Sequence, residues 1–352
     1  MCFAIISIVL MFSISYDNGI VISKRVIIQG FSYLLGFIAI LISSNMNYSV
    51  LETYQKQLYI FSVIFLLTPY LPGIGVEQFG ARSWINLGIT KFQPSEIVKL
   101  TFIFVMANYF SKRKDNLNYF SDFVKAVLYA APIILIVLKD DFGSAFVFGI
   151  IFISMILYAG LRLKIFTRIM IGFAVLLPFM FSFLDAYQKQ RITGFLYPND
   201  LSIQATYQVY QSKLAIGSGG IFGKGLFSGT QTQLDFLPVK ESDFIFAVLC
   251  EELGLIAGTI LIVLFIKFLL SILKLSYSTS DSYANLILIG IVGMFAAQFF
   301  ENIAMCMGLL PVTGITLPFI SYGGSSILSN MLAVAIVLNI AINHRGIVFV
   351  RR

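Results

Sequence analysis

In the stretch LPVKESDFIFAVLCEELG, residues 237–254, a charged segment is followed directly by an apolar run. Asp243 is the last charged residue before Phe244, so its carboxylate stands at the border between polar chain and an apolar environment. Such a carboxylate is either a helix N-cap, which accepts hydrogen bonds from the first free N–H groups, or a general base, which takes a proton from a reacting hydroxyl. Other parts of the chain bear on this choice.

Few other side chains in this sequence could transfer protons at neutral pH. The only histidine, His344, lies near the C-terminus, which argues against Ser-His-Asp and Cys-His sites and against histidine-based metal clusters. Cys2, Cys250 and Cys306 lie in apolar runs without paired spacing, so neither a disulfide framework nor a thiolate metal site is indicated. Carboxylates and lysines are therefore the candidates for this chemistry.

The elements that position these residues follow from the composition. The chain has 352 residues, of which 58% are hydrophobic and 12% charged, with a mean hydropathy of +0.90. In soluble proteins about a quarter of residues are charged. The sequence therefore predicts an all-α polytopic membrane protein with about ten transmembrane helices. The predicted spans are 2–16, 26–44, 58–71, 95–110, 124–138, 142–160, 165–184, 244–270, 284–309 and 325–342.

Lysine and arginine in the short loops predict the orientation, because these residues are retained on the cytoplasmic side. With an even number of spans, the basic residues at 112–114, at 162–168 and in the C-terminal tail fall on one face. Both termini are then cytoplasmic. The net charge of +7 reflects this bias and anionic lipid rather than nucleic-acid binding. The first apolar run begins almost at Met1, so we expect a retained span rather than a cleaved signal.

The largest loop, residues 185–242, lies between spans seven and eight on the extracytoplasmic face and is too long to be a simple connector. We expect the whole chain, 1–352, to form a single integral membrane domain that includes this loop. Its segment IGSGGIFGKG, residues 216–225, departs from P-loop spacing and indicates turns that let the backbone approach a ligand. The basic residues of the outer loops are candidates for binding an anionic substrate: Arg82, Arg191, Lys213, Lys224 and Lys240.

Charged residues within the spans carry more information, because each unpaired one costs about 2.5–3.5 kcal/mol at a helix centre. Glu96 and Lys99 are spaced i, i+3, which predicts an ion pair on one helix face with either a structural or a functional role. Asp141 follows Asp140 at the start of the sixth span, as a helix cap or a site residue. The deeper acids are expected to form polar contacts between helices: Glu251, Glu252 and Glu301.

The segment NIAMCMGLLPVTGITLPFISYGGSS, residues 302–326, carries the most specific pattern in the chain. It resembles the signature of the SEDS family (shape, elongation, division and sporulation), with Asn302, Pro311, Gly314 and the block SYGGSS in matching positions. Further segments follow in family order: GARSWINLG, FQPSEIVKL, DFGSA and the stretch from QSKLAIGSGG to AVLCEELG. The resemblance covers nearly the whole chain, and GTQTQLDFLP is more similar to the elongation branch than to the division branch.

This resemblance implies a peptidoglycan glycosyltransferase of the bacterial cytoplasmic membrane. Its substrate would be lipid II, the undecaprenyl-diphosphate-linked disaccharide peptide, polymerised on the outer face during cell elongation. In the family, the acid of the DFIFA segment is essential, which makes Asp243 the expected general base of an inverting glycosyl transfer. The further candidates for binding this substrate are the loop cations, chosen for their position on the outer face, together with the Glu96–Lys99 pair, Asp141 and Ser321.

The expected leaving group is a polyprenyl diphosphate, already a stable anion, so cations rather than a second acid can assist its departure. Loop lysines and arginines, or a divalent cation such as Mg²⁺ or Mn²⁺ acting as a Lewis acid, would supply that charge. No organic cofactor is expected. The implied partners are a class B penicillin-binding protein transpeptidase and membrane proteins of the elongation complex.

Two departures from the family pattern and two other functions stay open. Lys139-Asp140 stand before Asp141 where the family commonly has a proline, and Arg82-Ser83 replaces a doubled arginine.

A lipid II flippase would hold its charges near the bilayer midplane between repeated halves. A scaffold would only hold its penicillin-binding partner. The concentration of polar residues in outer loops favours the enzyme.

Overall fold

The structure, a computed structural model, describes residues 1–15, 23–43, 46–78, 81–88, 90–113, 119–168, 171–172 and 186–350. This part of the chain is mostly helical. Its helices include α1 (Cys2–Ile14), α2 (Lys24–Ser43), α3 (Val50–Thr53), α4 (Gln55–Leu67), α5 (Pro94–Ser111), α6 (Phe120–Asp140), α7 (Phe142–Tyr158), α8 (Ala186–Leu196), α9 (Gln204–Gly219), α10 (Thr230–Gln233), α11 (Ile245–Ser278), α12 (Ser282–Cys306) and α13 (Gly324–Val350).

Helices occupy nine of the ten predicted spans, and the seventh span, 165–184, falls almost wholly outside the described residues. Five helices within the described part are long and apolar enough to cross a bilayer: α2, α6, α11, α12 and the part of α13 that ends at His344. Helices α1 and α7 are apolar but shorter. The count of ten spans stays a prediction.

The expectation of a purely helical chain missed a small antiparallel sheet between α4 and α5. Strand β2 (Ala81–Asn86) pairs with both β1 (Gly75–Gln78) and β3 (Lys91–Phe92). The sheet lies in the predicted second outer loop, and its strands are only two to six residues long. Alternation of apolar and polar residues over so few positions is too short a pattern to identify a strand.

The contacts divide the chain into two compact units. The first unit comprises residues 1–38, 187–269 and 298–331, and the second unit comprises residues 39–186, 270–297 and 332–352. The core of the first unit includes the rings of Phe265 and Phe299, stacked 3.9 Å apart. In the second unit, Phe102 and Phe148 pack edge to face at 5.2 Å. The single membrane domain expected for 1–352 stays a prediction.

Helix α11 is broken at Gly254, whose φ of 78° and ψ of 179° are not helical. The glycine-rich segment 216–225 lies against this break. The N–H of Leu255 donates to the carbonyl of Gly220 at 3.0 Å, and the N–H of Lys224 donates to a carbonyl of α11 at 3.0 Å. These bonds replace those that the helix loses at its break. The glycines thus let the loop backbone approach α11, and the expected approach to a ligand stays a prediction.

The contact between α9 and α11 gives a first testable prediction. A Cβ on Gly219 would lie 2.0 Å from the carbonyl oxygen of Cys250, whereas a Cβ on Gly217, in the same helix, would meet no atom within 4 Å. We expect Gly219→Ala to lower the free energy of unfolding by about 1–3 kcal/mol, because backbone atoms have to move apart.

Thermal unfolding of the purified protein in detergent measures this difference, with Gly217→Ala as the matched control. The control variant is expected to melt at or slightly above the wild-type temperature, because alanine favours the helix. Equal melting temperatures for the two variants would contradict the close contact.

Candidate functional site

Asp243 lies in the turn before α11 and is half-buried. Its Oδ1 accepts a hydrogen bond from the hydroxyl of Ser242 at 2.8 Å. The N–H groups of Ala247 and Val248 both donate to the carbonyl of Phe244, at 3.0 and 3.2 Å, so Phe244 is the residue that caps the helix. Asp243 stands one position outside the cap. The alternative in which Asp243 is itself the N-cap is therefore wrong.

The turn that carries Asp243 holds an unusual backbone conformation. Val239 has a φ of 54°, in the left-handed region that β-branched residues rarely adopt. Its carbonyl accepts hydrogen bonds from the N–H groups of Ser242 and Asp243, at 3.3 and 3.1 Å. Such a conformation costs about 1–3 kcal/mol and persists only where surrounding contacts fix it.

Lys240 supplies one of these contacts. Its ammonium group is buried and donates to the carbonyl of Thr232 and to Oδ1 of Asp235, the latter at 2.5 Å. These bonds tie the turn to α10. Lys240 was expected to bind substrate, and the structure places its charge within the loop, next to Asp235. Its substrate-binding role stays a prediction.

A buried amide on α12 joins Asp243 to a second segment of the first unit. Asn302 is fully buried, and its Nδ2 donates to the carbonyls of Asp243 at 2.8 Å and of Ile315 at 2.7 Å. The thiol of Cys306, one turn later, lies 3.6 Å from the same Asp243 carbonyl. Asn302 thus fixes Asp243 against the segment that contains Gly314.

Gly314 lies close to both an acidic and a basic side chain. A Cβ built on this glycine would lie 3.5 Å from Oδ2 of Asp243 and 3.4 Å from Nη2 of Arg191. Gly314 has a φ of 78°, a conformation that favours glycine. The Arg191 guanidinium also donates to the carbonyl of Thr313 at 2.5 Å and lies over the ring of Tyr187. The carboxylate and the guanidinium therefore face the same small space.

A groove continues from Arg191 along α9. Its walls include Phe195, Tyr210, Lys213 and Pro311. Lys213 is exposed, and its Nζ would lie 3.5 Å from a Cβ built on Gly308. Two predicted substrate-binding cations, Arg191 and Lys213, thus line one groove with apolar walls. A groove of this composition suits a ligand with an anionic group and an apolar portion.

Ser321 supports the same region from the other side. Its hydroxyl donates to the carbonyl of Ser242 and accepts from the N–H of Leu317 at 2.8 Å. The next residue, Tyr322, donates its N–H to the carbonyl of Glu241 at 2.8 Å. Ser321 is therefore engaged with backbone groups that flank Asp243, and its expected contact with substrate stays a prediction.

Arg25 on α2 forms an ion pair with the same turn. Its guanidinium lies 3.1 Å from a carboxylate oxygen of Glu241. Burial raises the pKa of the neighbouring Tyr322 phenol, Arg25 opposes that shift and Glu241 adds to it. Sequence analysis did not single out Arg25 or Glu241. An exposed arginine at the start of an apolar run carries no signal that it pairs with a residue more than 200 positions away.

Lys224 is engaged with a buried acid rather than with the groove. Its ammonium lies 2.9 Å from Oε1 of Glu251. The Glu251 carboxylate, fully buried, also accepts from the N–H groups of Gln231 and Thr232, at 2.8 and 3.1 Å, and from the hydroxyl of Thr232 at 2.8 Å. Glu251 therefore organises the loop above α11, in line with its expected structural role.

Four predicted site residues lie in the second unit. Lys99 and Glu96 form the expected pair, with Nζ 2.8 Å from Oε1 and both side chains buried. Asp141 caps α7, because it accepts from the N–H of Ser144 at 2.9 Å, and it also accepts from the amide of Gln93 at 2.8 Å. Arg82 is exposed, 3.6 Å from Glu77.

The expected divalent cation would need protein side chains that can serve as its ligands. Within the described residues, no three side chains of histidine, cysteine, aspartate or glutamate come together as metal ligands. Mg²⁺ is commonly held by one or two carboxylates together with substrate phosphates. The described side chains alone do not form a metal site.

Asn302 is the residue of this site that sequence reasoning missed. It was noted only as part of a matching segment, although an amide within the apolar run of α12 is itself a signal, because polar groups are expensive there. Among the predicted residues, the structure brings Asp243 and Arg191 to the space beside Gly314, Lys213 to the adjoining groove, and Ser321 to the backbone that flanks Asp243.

Comparison with known proteins identifies the family. The family model described as "Cell cycle protein", that of FtsW, RodA and SpoVE, matches residues 1–346. The chain belongs to the SEDS family. Among SEDS relatives, stage V sporulation protein E of Bacillus subtilis (strain 168) is 36% identical over 329 residues, covering 93% of this chain and 88% of that protein. Peptidoglycan glycosyltransferase MrdB of Escherichia coli (strain K12) is 33% identical over 307 residues, covering 87% and 82%.

Solved structures of SEDS proteins share the fold. A chain of a peptidoglycan synthase complex, solved to explain the coordination of polymerization and crosslinking, superposes with a TM-score of 0.80 at 24% identity, covering 98% of this chain and 96% of that chain. The rod shape determining protein RodA of Thermus thermophilus gives 0.70 at 24% identity, covering 98% and 94%. The family membership and the apolar helices together show that the chain is a multi-pass membrane protein. The predicted family is confirmed.

The double hydrogen bond from Asn302 gives a second testable prediction. Replacing Asn302 by leucine keeps the volume and removes both donations, so the carbonyls of Asp243 and Ile315 lose a buried partner. We expect a loss of about 1–3 kcal/mol in the free energy of unfolding. Hydrogen exchange at residues 241–246 and 313–316 should accelerate.

Asn343→Leu is the control, because this half-buried amide donates to Asn339, within its own helix, and to no other residue in the described part of the chain. Native-state hydrogen exchange with mass spectrometry measures both variants. Unchanged exchange in the two segments of Asn302→Leu would show that the amide does not hold them together.

Proposed function

We propose that this chain is a peptidoglycan glycosyltransferase that polymerises lipid II on the outer face of the bacterial cytoplasmic membrane during cell elongation. Relatives named peptidoglycan glycosyltransferase, MrdB and FtsW, support this class of reaction. The observation that carries the proposal is the common space beside Gly314, which the Asp243 carboxylate and the Arg191 guanidinium both face. Glycosyl transfer from a diphosphate needs a base for the proton of the attacking hydroxyl and positive charge for the leaving group. The space beside Gly314 is faced by one group of each kind.

Asp243 is proposed to act on the acceptor sugar. Its carboxylate takes the proton of the attacking hydroxyl as the new bond to the anomeric carbon forms, and the bond from that carbon to the diphosphate oxygen breaks with inversion. Ser242 donates to Oδ1, while Oδ2 lies on the Gly314 side of the carboxylate. Oδ2 is the proposed proton acceptor. The fixed turn at Val239 holds the carboxylate in position.

Arg191 and Lys213 are proposed to bind the diphosphate of the donor. The departing group carries negative charge throughout, so fixed cations stabilise it as the glycosidic bond breaks. The apolar walls of the groove suit the first part of a polyprenyl chain. Roles for Arg82, Glu96, Lys99, Asp141, Lys224, Lys240 and Ser321 in binding lipid II, and for a Mg²⁺ or Mn²⁺ ion at the diphosphate, belong to the same proposal.

The membrane arrangement and the partners are also proposed. Ten spans with both termini in the cytoplasm would place the loop 185–242 and Asp243 outside, where lipid II is used. The matched peptidoglycan synthase complex, which coordinates polymerization and crosslinking, supports a penicillin-binding protein as the partner. The two other functions, a lipid II flippase and a non-catalytic scaffold, differ from the enzyme in what they require of Asp243.

The general base gives a third testable prediction. Asp243→Asn keeps the shape of the side chain and its bond to Ser242 but removes its basicity. We expect the rate of lipid II polymerisation to fall by about 10²–10⁴-fold, the usual effect of losing a positioned base. Gel analysis of glycan strands made by the purified variant from labelled lipid II measures this loss.

Asp200→Asn is the matched control, because Asp200 lies in the same loop, is exposed, and its carboxylate accepts hydrogen bonds from the neighbouring Ser202. It should polymerise at the wild-type rate. Near-normal turnover by Asp243→Asn, at equal protein amounts, would contradict the assignment of Asp243 as the base.

A further inference from the structure

The segment between α9 and α10 presents apolar side chains on its outer surface. Ile221 and Phe222 are 60% and 81% exposed, and Leu226 and Phe227 are exposed as well. Lys224 is the one charged residue between positions 219 and 227, and its ammonium turns back to Glu251. In contact with water, this surface would expose a cluster of large apolar side chains, which is unfavourable for a loop.

Hydrogen bonds fix the level of this segment along α11. The N–H of Ile256 donates to the carbonyl of Ile221 at 3.3 Å, next to the bond between Leu255 and Gly220. Leu255 lies ten residues after the start of α11 at Ile245, a distance of about 15 Å at 1.5 Å per residue. The segment therefore lies beside α11 rather than beyond its end.

From this level onward, α11 presents an exposed apolar stripe. The stripe consists of residues that are each between 44% and 57% exposed: Leu255, Ile256, Ile260, Val263 and Ile266. Before the break, residues 244–250 are buried. An exposed apolar face on a membrane-spanning helix contacts lipid, because it has no polar group to offer water. Ile221 and Phe222 lie at the level where this lipid-facing stripe begins.

The length of α11 limits how far the segment can lie from the membrane. The helix has 34 residues, or about 51 Å, and the hydrocarbon core is about 30 Å thick. If the whole excess of about 20 Å projected at this end, the segment would stand in the headgroup layer. A projection of less than about 15 Å would place it within the acyl chains.

We propose that residues 219–227 form a lipid-seated loop, inserted in one leaflet of the bilayer beside α11. In the ten-span topology this is the outer leaflet. Backbone within lipid requires internal hydrogen-bond partners, and the reciprocal bonds with α11 provide them. The inward turn of Lys224 keeps its charge out of the lipid. The side chains in contact with acyl chains are Ile221, Phe222, Leu226 and Phe227.

Tryptophan fluorescence tests this proposal without reference to catalysis. The full chain has one tryptophan, Trp84, which is replaced by phenylalanine. Phe222→Trp is then introduced, and the protein is reconstituted in nanodiscs of phosphatidylcholine with or without brominated acyl chains. The probe at position 222 is expected to lose most of its emission in brominated lipid and to resist quenching by aqueous iodide. Ile221→Trp provides a second probe in case Phe222→Trp is poorly folded.

Two control positions calibrate the result. Ile260→Trp, on the lipid-facing stripe, should be quenched by bromine, and Asp200→Trp, on an exposed polar turn, should be quenched by iodide. If the probes at 221 and 222 behave like the one at 200, the loop is in water and the proposal is wrong. Neither the bromine nor the iodide measurement depends on enzyme activity, so the test is independent of the proposed enzyme function.

Discussion

One buried amide joins the two backbone segments from which the candidate site is built. Asn302 donates to the carbonyl of Asp243 and to that of Ile315, and both bonds are shorter than 3 Å. These bonds attach both the turn that carries the acid and the segment around Gly314, which faces Arg191, to a single residue of α12. Because a buried carbonyl that loses its donor costs about 1–3 kcal/mol, the amide makes one arrangement of the two segments clearly preferred.

A second constraint acts on the loop that encloses the site. The buried carboxylate of Glu251 accepts from Lys224 and from backbone groups of α10, while the break at Gly254 accepts and donates hydrogen bonds to the glycine-rich segment. Both features belong to α11, the helix that begins two residues after Asp243. The position of the acid, the path of the loop and the level of its apolar side chains therefore depend on one helix.

Sequence reasoning predicted the parts of this structure that repeat a physical pattern. Long apolar runs identified the helices, and the i, i+3 spacing identified the pair of Glu96 and Lys99. Contacts between distant segments leave no such pattern. The pairing of Arg25 with Glu241 and the engagement of Lys240 with Asp235 depend on how the loop folds. For the same reason, composition alone did not separate cations that face the groove from cations that hold the loop.

The central claim is that this chain itself forms glycosidic bonds. The most direct measurement is strand formation from labelled lipid II by the purified full chain in nanodiscs, with and without a class B penicillin-binding protein. The account predicts glycan strands in the presence of the partner, and none when the chain is omitted. A correctly folded, partner-bound chain that leaves lipid II unpolymerised would contradict it.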